Sequence, residues 1–206
     1  RFQAPIYEGY GLTESTVSVA CNTEWAKREG SVGRSYPGVE VKIIDDQGKP
    51  LPDGERGEIC VRAPNVMQGY LNRPKDTSET LEHGWLHTGD IGYLDQDGFL
   101  FVVDRKRDLI IKGGYNIYPR EIEDVIYQLP QVAEAAVVGI EDEAKGEQVR
   151  AVISVRPGEE LDQSAIESFL TQNLAKYKLP TEYVFMNELP KGPGGKILKR
   201  ELRARA

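Results

Sequence analysis

Cysteine is scarce in this chain of 206 residues, and the two that occur, Cys21 and Cys60, each stand alone. Neither has a neighbour at metal-ligand spacing, so zinc and iron–sulfur sites are not indicated; two reduced thiols in a cytoplasmic setting are expected. No apolar run approaches the ~18 residues of a membrane-spanning helix, and no signal peptide is recognisable. Basic charge is short as well. A formal net charge of −7 argues against a nucleic-acid partner, since phosphate recognition favours a basic surface. The shortage is uneven, because Lys191 to Ala206 holds six Lys or Arg against one Glu, a local +5 on a body of −12. An initiator Met is also missing: the chain opens at Arg1 into a strand-like segment, as expected of an internal or C-terminal part of something longer. Of the two histidines, His83 and His87, neither has an acidic partner at ligand spacing, and neither is assigned to metal or catalysis.

What is present reads as a soluble chain of 39% hydrophobic and 29% charged residues, long enough for one large domain or two modest ones. Near the start, Ala4 to Glu8 runs into Gly9-Tyr10-Gly11-Leu12-Thr13-Glu14. A strand ending in Gly-x-Gly would bring bare backbone, a hydroxyl and a carboxylate to the end of a sheet, where open α/β sheets hold ligands. Tyr10 could stack on a base, Thr13 bond a phosphate and Glu14 offer Mg²⁺ a hard oxygen; an incidental polar turn is the alternative. From Gly30 to Leu100 short strands alternate with Gly, Pro and Asp. Val39 to Ile43 and Glu58 to Arg62 each alternate as half-buried strands do, and a helix is expected over Pro74 to Leu81, within a small antiparallel or barrel-like unit. Trp85 to Asp90 (WLHTGD) reads as a strand ending in Thr-Gly-Asp. Asp90 there could accept two hydrogen bonds from a ribose diol or simply cap a turn. Asp95 to Gly98 resembles the start of a calcium loop but lacks the later ligands, and a hairpin turn accounts for it better.

Asp104-Arg105-Lys106-Arg107-Asp108 is five charges in a row, which places it in solvent or a polar cleft. It is either a solvated connector or a hinge followed by a glycine pair, Gly113-Gly114, that lets backbone approach a ligand. Beyond it the pattern is α/β. Pro119 at a first helical position leads a stripe of Ile122, Val125, Ile126 and Leu129, stopped by Pro130. Val132 to Ile140, Val149 to Val155 and Glu182 to Met186 read as strands. Ser164 and Glu167 form a capping box for a helix bearing Ile166, Phe169, Leu170 and Leu174. Two helices on a three-stranded sheet are expected. Last, the prolines and glycines of Pro190 to Gly195 exclude helix and strand, so Lys196 is either presented on a flexible loop or solvated ahead of a basic terminal helix.

Four blocks in this order, GYGLTE at 9–14, WLHTGD at 85–90, DRKRDLIIKGGYNI at 104–117 and PKGPGGKILKREL at 190–202, resemble the adenylate-forming superfamily. Acyl-CoA synthetases, luciferases and peptide-synthetase adenylation domains belong to it. The resemblance implies a mixed α/β fold. Residues 1–105 would be the last part of a large AMP-binding domain, with the strand and nucleotide loop at 1–36 and a β-rich subdomain at 37–105. After a hinge at 104–108, residues 106–206 would form a compact α+β C-terminal domain. It further implies that ATP converts a carboxylic acid, a fatty acid foremost, to an acyl-adenylate with release of pyrophosphate, and that coenzyme A then displaces AMP. By the resemblance Gly9, Tyr10 and Gly11 line the adenine pocket, Thr13 touches phosphate and Glu14 binds Mg²⁺. Asp90 holds the ribose hydroxyls with help from Arg105, and Lys196 stabilises the adenylation transition state. Arg107 takes the hinge position, commonly Asp or Lys, and Gly113 and Gly114 border the thiol channel once the small domain has turned. The phosphate loop and acyl pocket are expected upstream of Arg1, so the chain alone is expected to be inactive. An amino-acid adenylation domain serving a carrier protein, and a non-catalytic nucleotide-binding module, are the alternatives.

Overall fold

A computed structural model describes residues 4–142, 144 and 146–204. The chain divides into two compact units, Arg1–Lys106 and Arg107–Ala206.

In unit 1, β1 (Gly9–Tyr10), β2 (Ala20–Cys21) and β3 (Arg34–Ser35) make a small antiparallel sheet in that order. The rest follows as β4 (Glu40–Ile44), β5 (Gly57–Arg62), α1 (Pro74–Thr80), β6 (Leu81–Glu82), β7 (Trp85–Leu94) and β8 (Leu100–Arg105). These strands form an open antiparallel sheet of order β4-β5-β7-β6, with β8 also on β7. The two sheets share a core of Val19, Ala20, Ile43, Ile59, Val61, Leu86 and Leu100. Backbone bonds from Val32 to Leu100 and from Leu100 to Gly33, both 2.9 Å, stitch them together. The half-buried alternation expected at Glu58 to Arg62 is not found. Glu58, Ile59, Cys60 and Val61 are all buried, because β5 is an interior strand paired on both edges.

That burial has a chemical consequence at Cys60. Loss of solvent, and then the neighbouring Glu58 charge, push its thiol up from 9.0 to about 12. The raised value makes the thiol's contribution complete below pH 9 and lost as pH climbs from there toward 12. Native protein at pH 8 is therefore expected to label at the half-buried Cys21 alone, with Cys60 reacting only when unit 1 unfolds. Rapid modification of both thiols in a stopped assay with a thiol reagent would contradict this.

Unit 2 comprises β9 (Ile110–Lys112), β10 (Tyr115–Ile117), α2 (Pro119–Ile126), β11 (Val132–Asp142), β12 (Gly146–Val155), α3 (Gln163–Asn173), β13 (Glu182–Phe185) and α4 (Lys199–Ala204). Its sheet has five strands, not three. The order is β10-β9-β12-β11, with β13 parallel to β12, so the glycine-containing run after Asp108 supplies a hairpin of its own. Both faces of this sheet are covered, which explains the unbroken apolar runs of β11 and β12. Val137, Val149, Ala151 and Ile153 meet Ile122 and Ile126 of α2 and Ile166 and Leu170 of α3. On the other face Ala136, Val138 and Val152 meet Leu189 and Leu202, the latter on α4. Each fully buried aliphatic side chain contributes about 1.5–3 kcal/mol.

Three local expectations change. Helix α2 ends at Ile126, and Leu129 packs from the turn beyond it. The N-cap of α3 is Asp162, whose carboxylate accepts the Ala165 N–H at 2.8 Å; Ser164 lies inside the helix. The basic tail is partly neutralised, since Lys199 pairs with Glu123 at 2.8 Å and Arg203 with Asp108 at 2.7 Å.

Candidate functional site

The Gly-Tyr-Gly segment is not the end of a long strand. Its strand is Gly9–Tyr10 itself, antiparallel to β2, after which the chain folds back through a 3₁₀ turn at Thr13–Ser15. Ser15 N and Val17 N both donate to the Leu12 carbonyl, at 3.0 and 2.8 Å. Thr16 and Val17 sit at φ +52° and +62°, a conformation unusual for any side chain and costly for β-branched valine. The fold-back brings the Val17 carbonyl so near Gly11 that a Cβ there would lie 2.1 Å from its oxygen. Gly11 is glycine because backbone crosses it.

What holds this turn is Asn65, a residue that the sequence did not single out. Its Nδ2 donates to the carbonyls of Ser15 at 2.6 Å and Ser18 at 2.9 Å, while its own carbonyl accepts the Thr16 hydroxyl at 2.9 Å. Met67 N adds a bond to the Glu14 carbonyl at 2.8 Å. Glu14 is thus presented from a braced loop. Its Oε1 accepts the Tyr70 hydroxyl at 2.7 Å, and burial followed by this contact raises the Tyr70 pKa, keeping the phenol a donor. Thr13 is exposed at the head of the turn.

Asp90 lies within β7, not at its end. Gly89, at φ +69°, and the register shift against β5 between Glu58 and Cys60 make a bulge there that re-aims the side chain, while Asp90 stays in register with Arg105 of β8. Thr88 Oγ1 pins the bulge by donating to the Ile59 carbonyl at 2.8 Å and accepting Asp90 N at 3.1 Å. Asp90 Oδ2 accepts the Tyr10 hydroxyl at 2.6 Å, and Arg105 Nε, on the cross-strand partner in β8, lies 3.8 Å from Oδ1. Burial first, then the Asp90 carboxylate, push the Tyr10 pKa far above its ordinary range. Tyr10 therefore serves as a fixed donor that orients Asp90. One carboxylate oxygen is engaged by the phenol, leaving the other to accept hydroxyl groups beside a guanidinium.

Leu12, Glu14, Tyr70, Thr88 and Gly89 border a cleft of about 270 Å³. Among the described residues no group of three His, Cys, Asp or Glu could by itself hold a metal ion. A single braced carboxylate fits Mg²⁺ that takes its remaining ligands from polyphosphate and water. His87 is nearby, with Nδ1 3.7 Å from Glu58 and Nε2 3.5 Å from Glu82.

In unit 2, Gly113 and Gly114 are the two-residue turn of the β9–β10 hairpin, at φ +58° and +84° as a primed turn requires. Lys196 is not on an irregular loop. Lys191 and Ile197 bridge antiparallel, Gly192 N donates to the Lys196 carbonyl at 2.9 Å, and Leu198 N donates to the Pro190 carbonyl at 2.8 Å. The Lys196 side chain is exposed with no partner among the described residues, whereas Lys191 is paired with Glu134 at 2.6 Å and Glu188 at 3.1 Å. The five charges at 104–108 are not all solvated either: Arg105, Lys106 and Arg107 are exposed, but Asp104 and Asp108 are buried. The structure thus brings Tyr10, hydrogen-bonded to Asp90, and Arg105, 3.8 Å from the other Asp90 oxygen, together, and sets Glu14 on the cleft beside Thr88 and Gly89. Gly113, Gly114 and Lys196 belong to the other unit.

Residues 1–71 match the family described as AMP-binding enzyme, and residues 121–196 match the AMP-binding enzyme C-terminal domain. A long-chain-fatty-acid–CoA ligase of Bacillus subtilis is 43% identical over 96% of this chain and 36% of its own length. A fatty acid–[acyl-carrier-protein] ligase of Streptomyces coeruleorubidus is 45% identical over 95% of this chain and 39% of its own. Among solved structures, the o-succinylbenzoate CoA synthetase of Bacillus subtilis in complex with its acyl-adenylate intermediate aligns with a TM-score of 0.90 and 38% identity. That alignment covers 97% of this chain and 41% of that one. The chain thus spans roughly two-fifths of the length of the relatives it matches.

Proposed function

Since the chain belongs to the adenylate-forming, AMP-binding enzymes, we propose that the protein carrying it is an acid–thiol ligase that activates a carboxylic acid, a fatty acid foremost. The carboxylate oxygen attacks the α-phosphate of ATP, the bond to pyrophosphate breaks, and an acyl-adenylate forms. The thiol of coenzyme A, giving up its proton, then attacks the acyl carbonyl, and AMP leaves with the electrons of the mixed-anhydride bond.

The observation that carries this reading is the Tyr10–Asp90–Arg105 group. A carboxylate aimed by a bulge, fixed by a phenol on one oxygen and flanked by a guanidinium, suits a ribose diol next to a phosphate. Gly9, Tyr10 and Gly11 line the adenine, and Thr13 donates to phosphate. Glu14 would hold Mg²⁺, with Tyr70 orienting its carboxylate. When bound, Mg²⁺ supplies neutralisation of the polyphosphate charge. Lys196 meets the negative charge that builds as carboxylate and phosphate approach. Arg107 is the hinge about which unit 2 turns between the two reactions, after which Gly113 and Gly114 border the thiol path. Fatty acid as the substrate rests on the similarity to fatty-acid ligases.

A full-length protein carrying this sequence, given ATP, Mg²⁺ and a panel of carboxylic acids, is expected to release pyrophosphate fastest with fatty acids and to form thioester only when coenzyme A is present. Pyrophosphate release with no acid in the panel would overturn the reading. The 45% identity to a carrier-protein ligase favours a second acceptor, the thiol of an acyl-carrier protein, which the same assay detects as acylated carrier in place of acyl-CoA.

A further inference from the structure

Units 1 and 2 join in sequence at Lys106 and Arg107, and an ion pair stands on each side of that junction within its own unit. On the unit 1 side Lys106 Nζ donates to Glu58 Oε2 at 2.8 Å, with Asp46 further off at 3.9 Å. On the unit 2 side Arg203 Nη2 donates to Asp108 Oδ1 at 2.7 Å and to the Arg107 carbonyl at 3.4 Å.

Neither Glu58 nor Arg203 is given a part in the proposed chemistry, although Glu58 borders the cleft beside Glu14, and both occupy demanding positions. Glu58 is 8% exposed in the interior strand β5, where a carboxylate costs several kcal/mol unless paired. Its two oxygens are divided, Oε1 accepting Gly89 N of the β7 bulge at 3.2 Å and Oε2 the linker lysine. Asp108 is likewise buried, and Arg203 extends from α4, which Leu202 fastens to the sheet.

We propose that Glu58 and Arg203 are positioning residues that confine the pivot to the single junction Lys106–Arg107. Glu58 keeps Lys106 with unit 1, and Arg203 keeps the Arg107 carbonyl and Asp108 with unit 2. The dihedrals next to that one peptide bond are left to absorb rotation. A pivot this short limits the orientations unit 2 can sample, and so the entropy lost each time Lys196 returns to one place. It also keeps Arg105, the residue before the anchored lysine, in register with Asp90 while unit 2 turns. The purpose assigned to the anchors rests on the two-reaction reading above, but their existence is tested without catalysis.

Trypsin cuts after Arg105, Lys106 and Arg107, and a protease needs several residues of chain free of contacts. Limited proteolysis of the 206-residue chain, read bond by bond by mass spectrometry, therefore measures the anchors directly. Glu58→Gln is expected to speed cleavage after Arg105 and Lys106 by about three- to tenfold, and Arg203→Met to do the same after Arg107. Wild-type rates in both variants, or equal acceleration of all three bonds by either one, overturns the proposal. If Glu58→Gln loosens unit 1 generally, seen as cuts outside 104–108, Lys106→Gln breaks the same pair and is read at the bonds after Arg105 and Arg107. In a full-length synthetase, Glu58→Gln is further expected to change the ratio of adenylation to thioester-forming rates by about three- to tenfold. An unchanged ratio overturns the anchor's role in turning. Absence of pyrophosphate release by the unmutated enzyme sinks the ligase reading alone and leaves the proteolysis result standing.

Discussion

Lys196→Ala is expected to slow adenylation by about 10²–10³ in a full-length protein carrying this sequence, the usual cost of removing one preorganised charge contact to a transition state. The hairpin from Lys191 to Ile197 fixes the backbone under this lysine, while its ammonium stays free of partners among the described residues, so the charge is held ready and not neutralised. Thioester formation from a supplied acyl-adenylate is expected to change little, since Gly113 and Gly114 are the residues proposed for that step. Lys191→Ala is the control. Its ammonium is committed to Glu134 and Glu188, so its loss is expected to appear as a small drop in melting temperature with adenylation within a few-fold of wild type. Equal loss of both half-reactions, or a Lys191 effect as large, would leave Lys196 without a special role.

Gly11→Ala is the second. A Cβ at that position lies 2.1 Å from the Val17 oxygen and 2.7 Å from Ser18 N, and those are backbone atoms that cannot swing aside. The turn at 12–18 must open, breaking the bonds to the Leu12 carbonyl and shifting Glu14. Overpacking of this kind costs about 1–3 kcal/mol, and here its effect on nucleotide binding is expected to exceed its effect on stability, because the displaced loop carries Glu14, the proposed Mg²⁺ ligand. Gly38→Ala separates sterics from backbone preference: Gly38 has φ +83° and nothing within 4 Å of its Cβ position, so only conformational strain is felt. Thermal melts and ATP titration of both variants decide the matter. If Gly38→Ala is as harmful to nucleotide binding as Gly11→Ala, the crossing at Val17 is not what demands glycine.

How far the sequence could be read depended on the range of the interaction. Helix α2 was legible because Pro119 and the Ile122, Val125 and Ile126 stripe are local. The start of α3 was misplaced by two residues because two plausible caps compete, and only the geometry shows that the Asp162 carboxylate reaches Ala165 N. Gly113-Gly114 between Ile110-Ile111-Lys112 and Tyr115-Asn116-Ile117 is a hairpin signal by itself, but a glycine pair also suits close backbone approach to a ligand, and only the pairing of β9 with β10 distinguishes the two. Burial of Glu58 and Asp108 was hidden because each depends on a cation far along the chain, Lys106 and Arg203. Asn65 and Tyr70 were out of reach for the same reason: they meet the 14–18 turn from about 50 positions away, and no local pattern announces it.

One feature of unit 2 bears on how the two elements proposed for the two reactions relate. Strand β12 gives one whole edge to β11, so β9 and β13 share its other edge end to end, β9 at Gly146 and β13 from Arg150 to Ile153. The Gly113-Gly114 turn extends from the first of these partners, and the segment that leads to the Lys196 hairpin leaves the second. Both are mounted on one ten-residue strand, like two tools on a single handle. A turn of the unit as one body carries both together, so an exchange between them needs no rearrangement inside the unit. Mutual exclusion of the two elements would then be a property of rigidity, built into the sharing of one strand edge and not dependent on a loop that opens and shuts.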